Sequence, residues 1–260
     1  MPKDRVTRGT PVQAVDRAVS ILQVLGRHGA VQVTEIAAEL GLHKSTVFRL
    51  LATLESRGLV EQNSERGRYR LGYGVVQLAA GATKKHDLSL LSRPVCHELA
   101  EAVGETVNVA IHDGHMVISI DQVIGSSAVT TVNWVGQRTP MHATSAGKVF
   151  LANMPPAQLD EVVAEGLASY TPHTVTDPAA LERQLALVRD RGYATTVEED
   201  EIGMAAVAAP IRSLDGEVVA AVVVSGPTFR INKDTIPDVA EHVLAAAAEI
   251  SQRNGFPKQG

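Results

Sequence analysis

The chain has 260 residues, of which 45% are hydrophobic and 20% charged. That is a normal globular balance and a length suited to two domains. The single cysteine, Cys96, excludes a disulfide framework and a cysteine-based zinc site within one chain. The first residues lack the apolar core of a signal peptide, and the longest apolar runs have the length of a strand. We therefore expect a cytoplasmic protein that does not enter a membrane.

The charge is divided unevenly along the chain. Residues 1–85 contain 13 Lys and Arg against 7 Asp and Glu, whereas the remaining residues contain 11 against 22. The first third therefore has a net charge of +6 and the remainder −11. This asymmetry predicts a polyanion partner for the first part only, because the acidic remainder should repel nucleic acid.

Residues 12–72 predict a small helical domain, preceded by a polar, basic arm of residues 1–11 that we expect to be flexible. Apolar residues at helical spacing indicate three helices, and Gly26 and Gly29 are expected to end the first. Thr34 is the expected N-cap of the second. The three predicted helices span 12–27, 34–40 and 44–57.

The pattern changes after the third helix. Alternating residues on either side of a polar turn at 63–67 predict a short β-hairpin. Residues 73–86 are expected to form a linker, whose helix over 73–83 has little polar surface. A helix that cannot cover its own apolar face usually pairs with another chain, so we expect an oligomer.

The second domain is expected over 87–258. The Asp113-Gly114 pair between two apolar runs predicts a β-hairpin. Helices that both precede and follow the strands indicate an α+β domain with a largely antiparallel sheet. The expected helices are 91–103, 146–154, 156–165, 178–191 and 233–253, and the expected strands are 107–112, 116–122, 129–133, 194–197, 205–211 and 218–225.

The third predicted helix has two different faces on a helical wheel. One face is aliphatic and should turn inward, and the other has a single long cation among small residues. Small side chains let a helix lie deep in the major groove, where an arginine can donate two hydrogen bonds to guanine. The inward face consists of Val47, Leu50, Leu51 and Leu54, and the outward face of Ser45, Arg49, Ala52 and Ser56.

Other polar groups around this helix suit the DNA backbone. Ser45 and Thr46 lie in its first turn, where free N–H groups and hydroxyls favour a phosphate. The basic hairpin predicts a wing that reaches an adjacent backbone or minor groove. Paired short helices also occur outside DNA-binding proteins, but their coincidence with the charge and the basic hairpin favours DNA. The predicted DNA contacts are Arg17, Thr34, Lys44, Ser45, Thr46, Arg49, Arg66 and Arg68.

Motifs along nearly the whole chain resemble the isocitrate-lyase-regulator (IclR) family of bacterial regulators. They are VDRAVSILQVL, TEIAAELGLHKSTVFRLLATLESRGLVEQ and GRYRLG in the first part, and MHATSAGKVFLA, RGYATTVEEDEIGMAAVAAPI and VVAAVVVSGPTFRI in the second. The resemblance implies a winged helix-turn-helix, a linker helix and an effector domain related to small-molecule sensors of the GAF type. It also implies dimers through the N-terminal half and often tetramers through the effector domains.

A candidate effector site begins at Ser145, where a helix is expected to open. Its free N–H groups favour an anion such as a carboxylate, although Ser145 is equally well explained as an N-cap. The resemblance implies further contacts from neighbouring strands. Where some members have a cysteine and a serine, this chain has Ala206 and Val223, so a more apolar pocket is expected. The implied contacts are Ser145, Ala146, Thr196, Ala206, Val223 and Ser225, with Thr131 and Trp134 as looser matches.

Two features resemble metal sites, but a simpler interpretation is preferred for each. The acidic run 198–201 is interpreted as a solvated turn in which Glu199 is structural. His112 and His115 are interpreted as exposed residues of the hairpin. Lys148 is expected to extend outward. We expect no metal and no cofactor.

Three hypotheses for function follow. The sequence favours a ligand-responsive transcription regulator, with a repressor as the first expectation, that binds operator DNA and a small organic acid. An alternative is an enzyme acting on a small metabolite, suggested by Ser145, His142 and Lys148, but no catalytic motif supports it. The third hypothesis is a constitutive architectural DNA binder, in which the acidic second domain has no evident role.

Overall fold

The computed structural model divides the chain into two compact units, which meet in sequence at His86 and Asp87. The expected basic arm, Arg66 in the hairpin turn and Thr131 in an expected strand lie outside the described residues. Across the described ranges, no helix is both long enough and apolar enough to cross a bilayer. The described ranges are 12–63, 67–83, 88–127 and 133–257.

The first unit packs three helices against a small antiparallel sheet. Ile21, Ile36 and Leu51 bring the three helices together in one core, which Tyr69 of the sheet completes. This is a helix-turn-helix followed by a β-hairpin, the arrangement of a winged helix. The elements are α1 (Gln13–His28), β1 (Val31–Gln32), α2 (Val33–Glu39), α3 (Lys44–Ser56), β2 (Val60–Asn63), β3 (Arg68–Leu71) and α4 (Tyr73–Thr83), with the strands in the order β1-β3-β2.

The expectation that Gly29 ends α1 is confirmed, whereas the expected roles of Gly26 in that end and of Thr34 at the start of α2 are wrong. Helix α1 continues through Gly26 and ends at Gly29, whose φ of 73° few other residues adopt and whose N–H donates to Leu25 O. Thr34 is not an N-cap, because Gln32 forms a capping box with Glu35: the Gln32 N–H donates to Glu35 Oε2 at 2.8 Å, and the Gln32 side chain accepts from the Glu35 backbone. Thr34 therefore lies inside the first turn.

The second unit is built on one six-stranded antiparallel sheet. A shorter strand not expected from the sequence lies at one edge, and the helix expected from 233 begins after a turn that Thr235 closes by donating to Arg230 O. The elements are α5 (Leu88–Val103), β4 (Thr106–Asp113), β5 (Met116–Val123), β6 (Arg138–Pro140), α6 (Ser145–Asn153), α7 (Pro156–Ala164), α8 (Pro178–Arg191), β7 (Ala194–Val197), β8 (Met204–Arg212), β9 (Val218–Pro227) and α9 (Ile236–Arg253), with the strands in the order β6-β5-β4-β9-β8-β7.

Helices cover both faces of this sheet. Successive side chains of a strand point to opposite faces. Val107 and Val109 of β4 accordingly pack under α5 and α9, whereas Ala110 of β4 and Val223 of β9 lie on the face of α6, α7 and α8. The α+β class with an antiparallel sheet flanked by helices is confirmed. The β4–β5 hairpin is also confirmed, but Asp113 still pairs with Met116, so the connecting residues are Gly114 and His115.

Helix α6 approaches the segment before it unusually closely at Gly147. A Cβ atom built on Gly147 would lie 2.1 Å from the Met141 carbonyl oxygen, which no side chain can tolerate. The first turn of α6 can therefore rest on this backbone only because the residue is glycine.

We predict that Gly147→Ala destabilises the second unit by at least about 1–3 kcal/mol, because the backbone of α6 must shift to make room for the added Cβ atom. Gly26→Ala is the matched control, because its nearest obstacle is Leu71 Cδ1 at 3.8 Å. In the interior of α1 that change should stabilise the first unit by about 0.5–1 kcal/mol. Calorimetric melting of both variants checks this, and a Gly147→Ala protein that melts like the wild type would show that α6 does not need this contact.

Candidate functional site

Helix α3 separates an inward and an outward face, as its helical wheel predicts. Val47, Leu51 and Leu54 are buried in the core of the first unit. Arg49 and Ala52 are exposed. Within the described residues, no hydrogen bond or ion pair engages the Arg49 guanidinium, which is therefore available to an external partner.

Phe48 is an exposed aromatic residue on α3 that sequence reasoning missed. Its side chain is 57% exposed, although it is the largest apolar residue of the helix. Phe48 precedes Ala52 by one helical turn and therefore borders the outward face. On the helical wheel, Phe48 lies between the inward and the outward face. That position indicates partial exposure, but an apolar residue is usually assumed to be buried.

The first turn of α3 offers unsatisfied backbone donors. The N–H groups of Thr46 and Val47 both donate to His43 O, whereas those of Lys44 and Ser45 find no acceptor in the described part of the chain. Thr34 shares a surface depression with Lys44 and Ser45. Three of the predicted contacts therefore lie together where a helix N-terminus favours a phosphate.

The remaining predicted DNA contacts are placed differently. Arg17 of α1 is half-buried. Arg68 donates to Ala30 O at 3.0 Å and lies 3.9 Å from Glu35, so it ties the hairpin to the helices. Arg70 similarly donates to Glu61 Oε1 at 2.6 Å across the hairpin. The two described arginines of the hairpin thus have partners within the protein.

A cavity in the second unit lies between the sheet and the start of α6. Cross-strand pairing places Thr196, Ala206 and Ser225 in one row across β7, β8 and β9. The backbone N–H of Trp134 donates to Gln122 Oε1 at 2.8 Å, which fixes this residue at the cavity wall. Seven of the eight predicted effector residues line the cavity: Trp134, Ser145, Ala146, Thr196, Ala206, Val223 and Ser225.

The polar groups of this cavity have few partners in the protein. Among the described residues, the hydroxyls of Ser145, Thr196 and Ser225 make no hydrogen bond, and the Asn108 side chain makes none either. The N–H groups of Ser145 and Ala146 in the first turn of α6 also lack an acceptor. Buried polar groups are normally paired, so a concentration of unpaired ones in a cavity indicates a ligand site. Asn108 is not among the residues expected from the sequence.

The N-cap of α6 is Thr144 and not Ser145. Thr144 Oγ1 accepts from the Gly147 N–H at 3.3 Å and donates to Pro140 O at 2.7 Å. Because Thr144 performs the capping, Ser145 becomes the first helical residue and its hydroxyl is released toward the cavity.

Lys148 and Glu199 form a buried ion pair beside the cavity, which corrects two expectations. Lys148 does not extend outward: its side chain is 1% exposed, and Nζ lies 2.5 and 2.6 Å from the two Glu199 oxygens. Glu199, in turn, is buried and not part of a solvated turn. Burial lowers the pKa of Lys148 and raises the pKa of Glu199, while their mutual attraction opposes both shifts.

The rest of the acidic run lies at the edge of the cavity. The Glu199 carbonyl accepts from Thr174 Oγ1 at 2.6 Å, which fixes this loop to the segment before α8. Asp200 and Glu201 line the cavity. Burial raises the pKa of Asp200, and the neighbouring Glu201 adds to the increase.

The histidines considered for other roles have separate partners. His115 Nδ1 lies 2.7 Å from Glu165 Oε2, and His112 contacts the Phe150 ring. His142 Nε2 is 2.8 Å from Ala168 O. In the part of the chain that is described, no three His, Cys, Asp or Glu side chains meet as a metal site requires.

A winged helix with an exposed arginine-bearing helix, joined in one chain to an α+β unit with a ligand-sized cavity, defines a DNA-binding regulator. Family models agree over most of the sequence: residues 14–64 match the IclR helix-turn-helix domain, and residues 80–252 match the bacterial transcriptional regulator IclR C-terminal domain. The chain belongs to the IclR family of transcriptional regulators.

Individual relatives are similar over nearly their full length. The HTH-type transcriptional regulator BhcR of Paracoccus denitrificans is 35% identical, over 92% of this chain and 86% of its own. The transcriptional repressor IclR of Escherichia coli is 34% identical, over 94% and 90%. A crystal structure of an IclR homolog from Microbacterium hydrocarbonoxydans, complexed with 4-hydroxybenzoate, superposes with a TM-score of 0.81 at 27% identity, over 93% and 98%.

We predict that Lys148→Met destabilises the second unit by about 3–5 kcal/mol, because it leaves the Glu199 carboxylate buried without a counter-charge. Without Lys148 the pKa of Glu199 rises further, so the folded variant binds a proton more readily than the unfolded chain. The variant should therefore regain stability as the pH is lowered from about 8 to about 5.

Two variants control this prediction. Lys148→Met combined with Glu199→Gln should restore much of the lost stability, and Arg253→Ala, which breaks an exposed pair with Glu249, should cost less than about 1 kcal/mol. Denaturant unfolding over the pH range measures all three. A Lys148→Met protein as stable as the Arg253→Ala protein would contradict the assignment.

Proposed function

We propose that the protein is a ligand-responsive repressor that binds operator DNA through the first unit and a compact carboxylate in the second. The observation that carries the proposal is the cavity, because the side chains of Asn108, Ser145, Thr196 and Ser225 have no hydrogen-bond partner among the described residues. Its lining also includes seven of the eight residues that the family resemblance implies. The names of relatives support a repressor, and the DNA partner implies action in the bacterial cytoplasm.

In the DNA complex, α3 enters the major groove with its outward face. Arg49 donates to a guanine edge, while Ser45 and Ala52 are small enough to let the helix approach closely. The free N–H groups of Lys44 and Ser45 hold a phosphate and fix the position of the helix. Thr34, Thr46, Arg17 and, in the hairpin, Arg66 and Arg68 complete the proposed contacts with the backbone.

Apolar surface on the first unit supports a homodimer. Val15 and Val19 of α1 are exposed, as are Tyr73 and Val76 of α4. Such residues are costly to leave in water, and a symmetric dimer would present two winged helices to two half-sites. The family resemblance implies a tetramer through the second unit, and we include this assembly in the proposal.

The cavity suits a ligand that is small and carries an acid group. It offers about 110 Å3, whereas one buried water needs roughly 10–15 Å3 of such space, so the ligand has on the order of ten non-hydrogen atoms. The Ser145 and Ala146 N–H groups favour a carboxylate at the start of α6. The 4-hydroxybenzoate complex of the Microbacterium homolog supports this class, and that compound is a first probe.

Ligand binding is proposed to change DNA affinity by a shift in conformational population. The ligand contacts α6, and Lys148 of α6 forms an ion pair with Glu199 in the loop after β7. A ligand that restrains α6 and this loop therefore favours one conformation of the second unit. A dimer that fits two half-sites in only one arrangement then changes its operator affinity by a coupling free energy of about 1–3 kcal/mol.

The enzyme hypothesis has no comparable support. Lys148 is engaged by Glu199, and His142 lies against the Ala168 carbonyl. Neither is arranged to activate the Ser145 hydroxyl, and the family is one of transcriptional regulators.

We predict that Arg49→Ala weakens binding to the DNA upstream of the protein's own gene by about 1–3 kcal/mol, because the bidentate contact to guanine is lost. Arg183→Ala, which removes an exposed arginine of α8 in the second unit, is the matched control and should bind as the wild type does. Gel-shift titration measures both. Equal affinity of Arg49→Ala and wild type would show that another surface reads the DNA.

We also predict that Phe48 contacts a thymine methyl group, because it is an exposed apolar side chain beside the groove-facing surface. Uracil lacks only this methyl group. Replacing the contacted thymine with uracil in a selected operator should weaken the wild type by about 0.8 kcal/mol, roughly fourfold, and leave Phe48→Ala unaffected. A site-by-site uracil scan with both proteins checks this; losses of the same size in Phe48→Ala would assign the methyl contact to another residue.

A further inference from the structure

Among the described residues, Asn108 is the one asparagine that lines the cavity, and its amide has no hydrogen-bond partner. The residue lies on β4 and is 6% exposed, and its Oδ1 atom is buried without a hydrogen-bond donor. No described residue forms a hydrogen bond with this side chain. A buried amide in this state opposes folding, because its hydrogen bonds with water have been lost and not replaced.

The surroundings of Asn108 make the amide conspicuous. In the sheet it lies between Val223 of β9 and Gln122 of β5, and Ala110 follows it on the same face of β4. Val117 of β5 also lines this part of the cavity. The hydroxyls of Thr196 and Ser225 belong to the neighbouring row of the sheet. Asn108 therefore places an amide beside the apolar residues Ala110 and Val223 of the cavity wall, and the side chain of its neighbour Gln122 is engaged by the Trp134 backbone N–H.

Packing within the protein gives no reason for an asparagine at this position. Val107 and Val109, its neighbours on β4, face the core on the other side of the sheet. The Asn108 side chain therefore does not connect the two faces of the sheet. Asparagine is also disfavoured in strands. An apolar residue of similar size would satisfy the sheet and the wall equally well, whereas the amide can in addition form a hydrogen bond with a polar group of a ligand.

We propose that Asn108 determines the specificity of the effector pocket by hydrogen bonding to a second polar group on the ligand. The inference rests on the proposed function, in which α6 holds the ligand carboxylate. The ligand class is thereby narrowed to compact carboxylates that carry a hydroxyl, amine or carbonyl elsewhere in the molecule. Rotation of the amide presents either its carbonyl oxygen or its NH2 group, so a hydroxyl can be matched as donor or acceptor.

Two matched pairs of probes test the proposal by thermal shift and calorimetric titration: 4-hydroxybenzoate against 4-methylbenzoate, and 6-hydroxyhexanoate against heptanoate. Within each pair a hydroxyl replaces a methyl group of similar size. Wild type should prefer the hydroxylated member of at least one pair by about five- to tenfold, the value of one buried hydrogen bond. Asn108→Leu should lose or reverse the preference, because the apolar wall then favours the methyl group.

A control variant and a stability measurement complete the test. His112→Leu makes the same kind of change on an exposed residue of β4 outside the cavity, and should keep the wild-type preference. Without ligand, Asn108→Leu should melt at or above the wild-type temperature, since it removes an unpaired buried amide. A marked decrease in melting temperature would show that the amide stabilises the fold, and would overturn the proposal.

The outcomes separate this inference from the function on which it rests. Binding of either pair without a preference for the hydroxyl, unchanged in Asn108→Leu, would overturn the role of Asn108 and leave the effector pocket in place. Failure of all four probes to bind would overturn the carboxylate pocket itself, and this inference with it. DNA binding by the first unit would be untouched in both cases.

Discussion

The second unit depends on a buried ion pair that lies next to its cavity. Lys148 and Glu199 come from distant parts of the sequence, and neither charge has an aqueous alternative in the folded state. Each therefore fixes the other: Lys148 determines where α6 lies, and Glu199 determines where the loop after β7 lies. Thr174 extends the constraint by holding the Glu199 carbonyl. The cavity wall is thus positioned by electrostatics, while Gly147 permits the close backbone approach that completes it.

The packing around the cavity explains why it can contain so many unpaired polar groups. Unpaired hydroxyls and amides oppose folding, and the surrounding core must offset their cost. Two apolar clusters on opposite faces of the sheet supply that stability. Ser145 is available to a ligand because Thr144 already caps α6. At this site, one of two adjacent residues, Thr144, has a structural role, and the other, Ser145, is open to the ligand.

The sequence was sufficient for the fold class and for most of the elements. Helical and two-residue periodicities report which side of an element is buried, so α8 and β7 were predicted with the bounds observed. The short edge strand β6 was missed because three residues contain no periodicity. The cap of α2 was misassigned because a glutamine side chain formed a capping box where a threonine was the better candidate by preference alone.

Those parts of the candidate site could be predicted that depend on residue spacing within one element or on the motifs of the family. The outward face of α3 follows from spacing, and the family resemblance placed seven residues in the cavity wall. The ion pair could not be predicted, because the charges lie far apart in the chain and a lysine near a helix start is usually solvated. Asn108 was also missed: its neighbours on β4 are ordinary strand residues, and only the folded sheet shows that no described residue forms a hydrogen bond with its amide.

The hydrogen bonds of the hairpin arginines have a consequence for ionic-strength dependence. Arg68 donates to the Ala30 carbonyl and lies 3.9 Å from the Glu35 carboxylate, and Arg70 is paired with Glu61. A cation that already neutralises a protein group displaces few counterions when DNA binds, because the number of ions released follows the phosphates newly neutralised. The two described hairpin arginines, Arg68 and Arg70, therefore contribute shape to the complex more than charge, and the affinity should decline less steeply with added salt than the count of basic residues in the first third suggests.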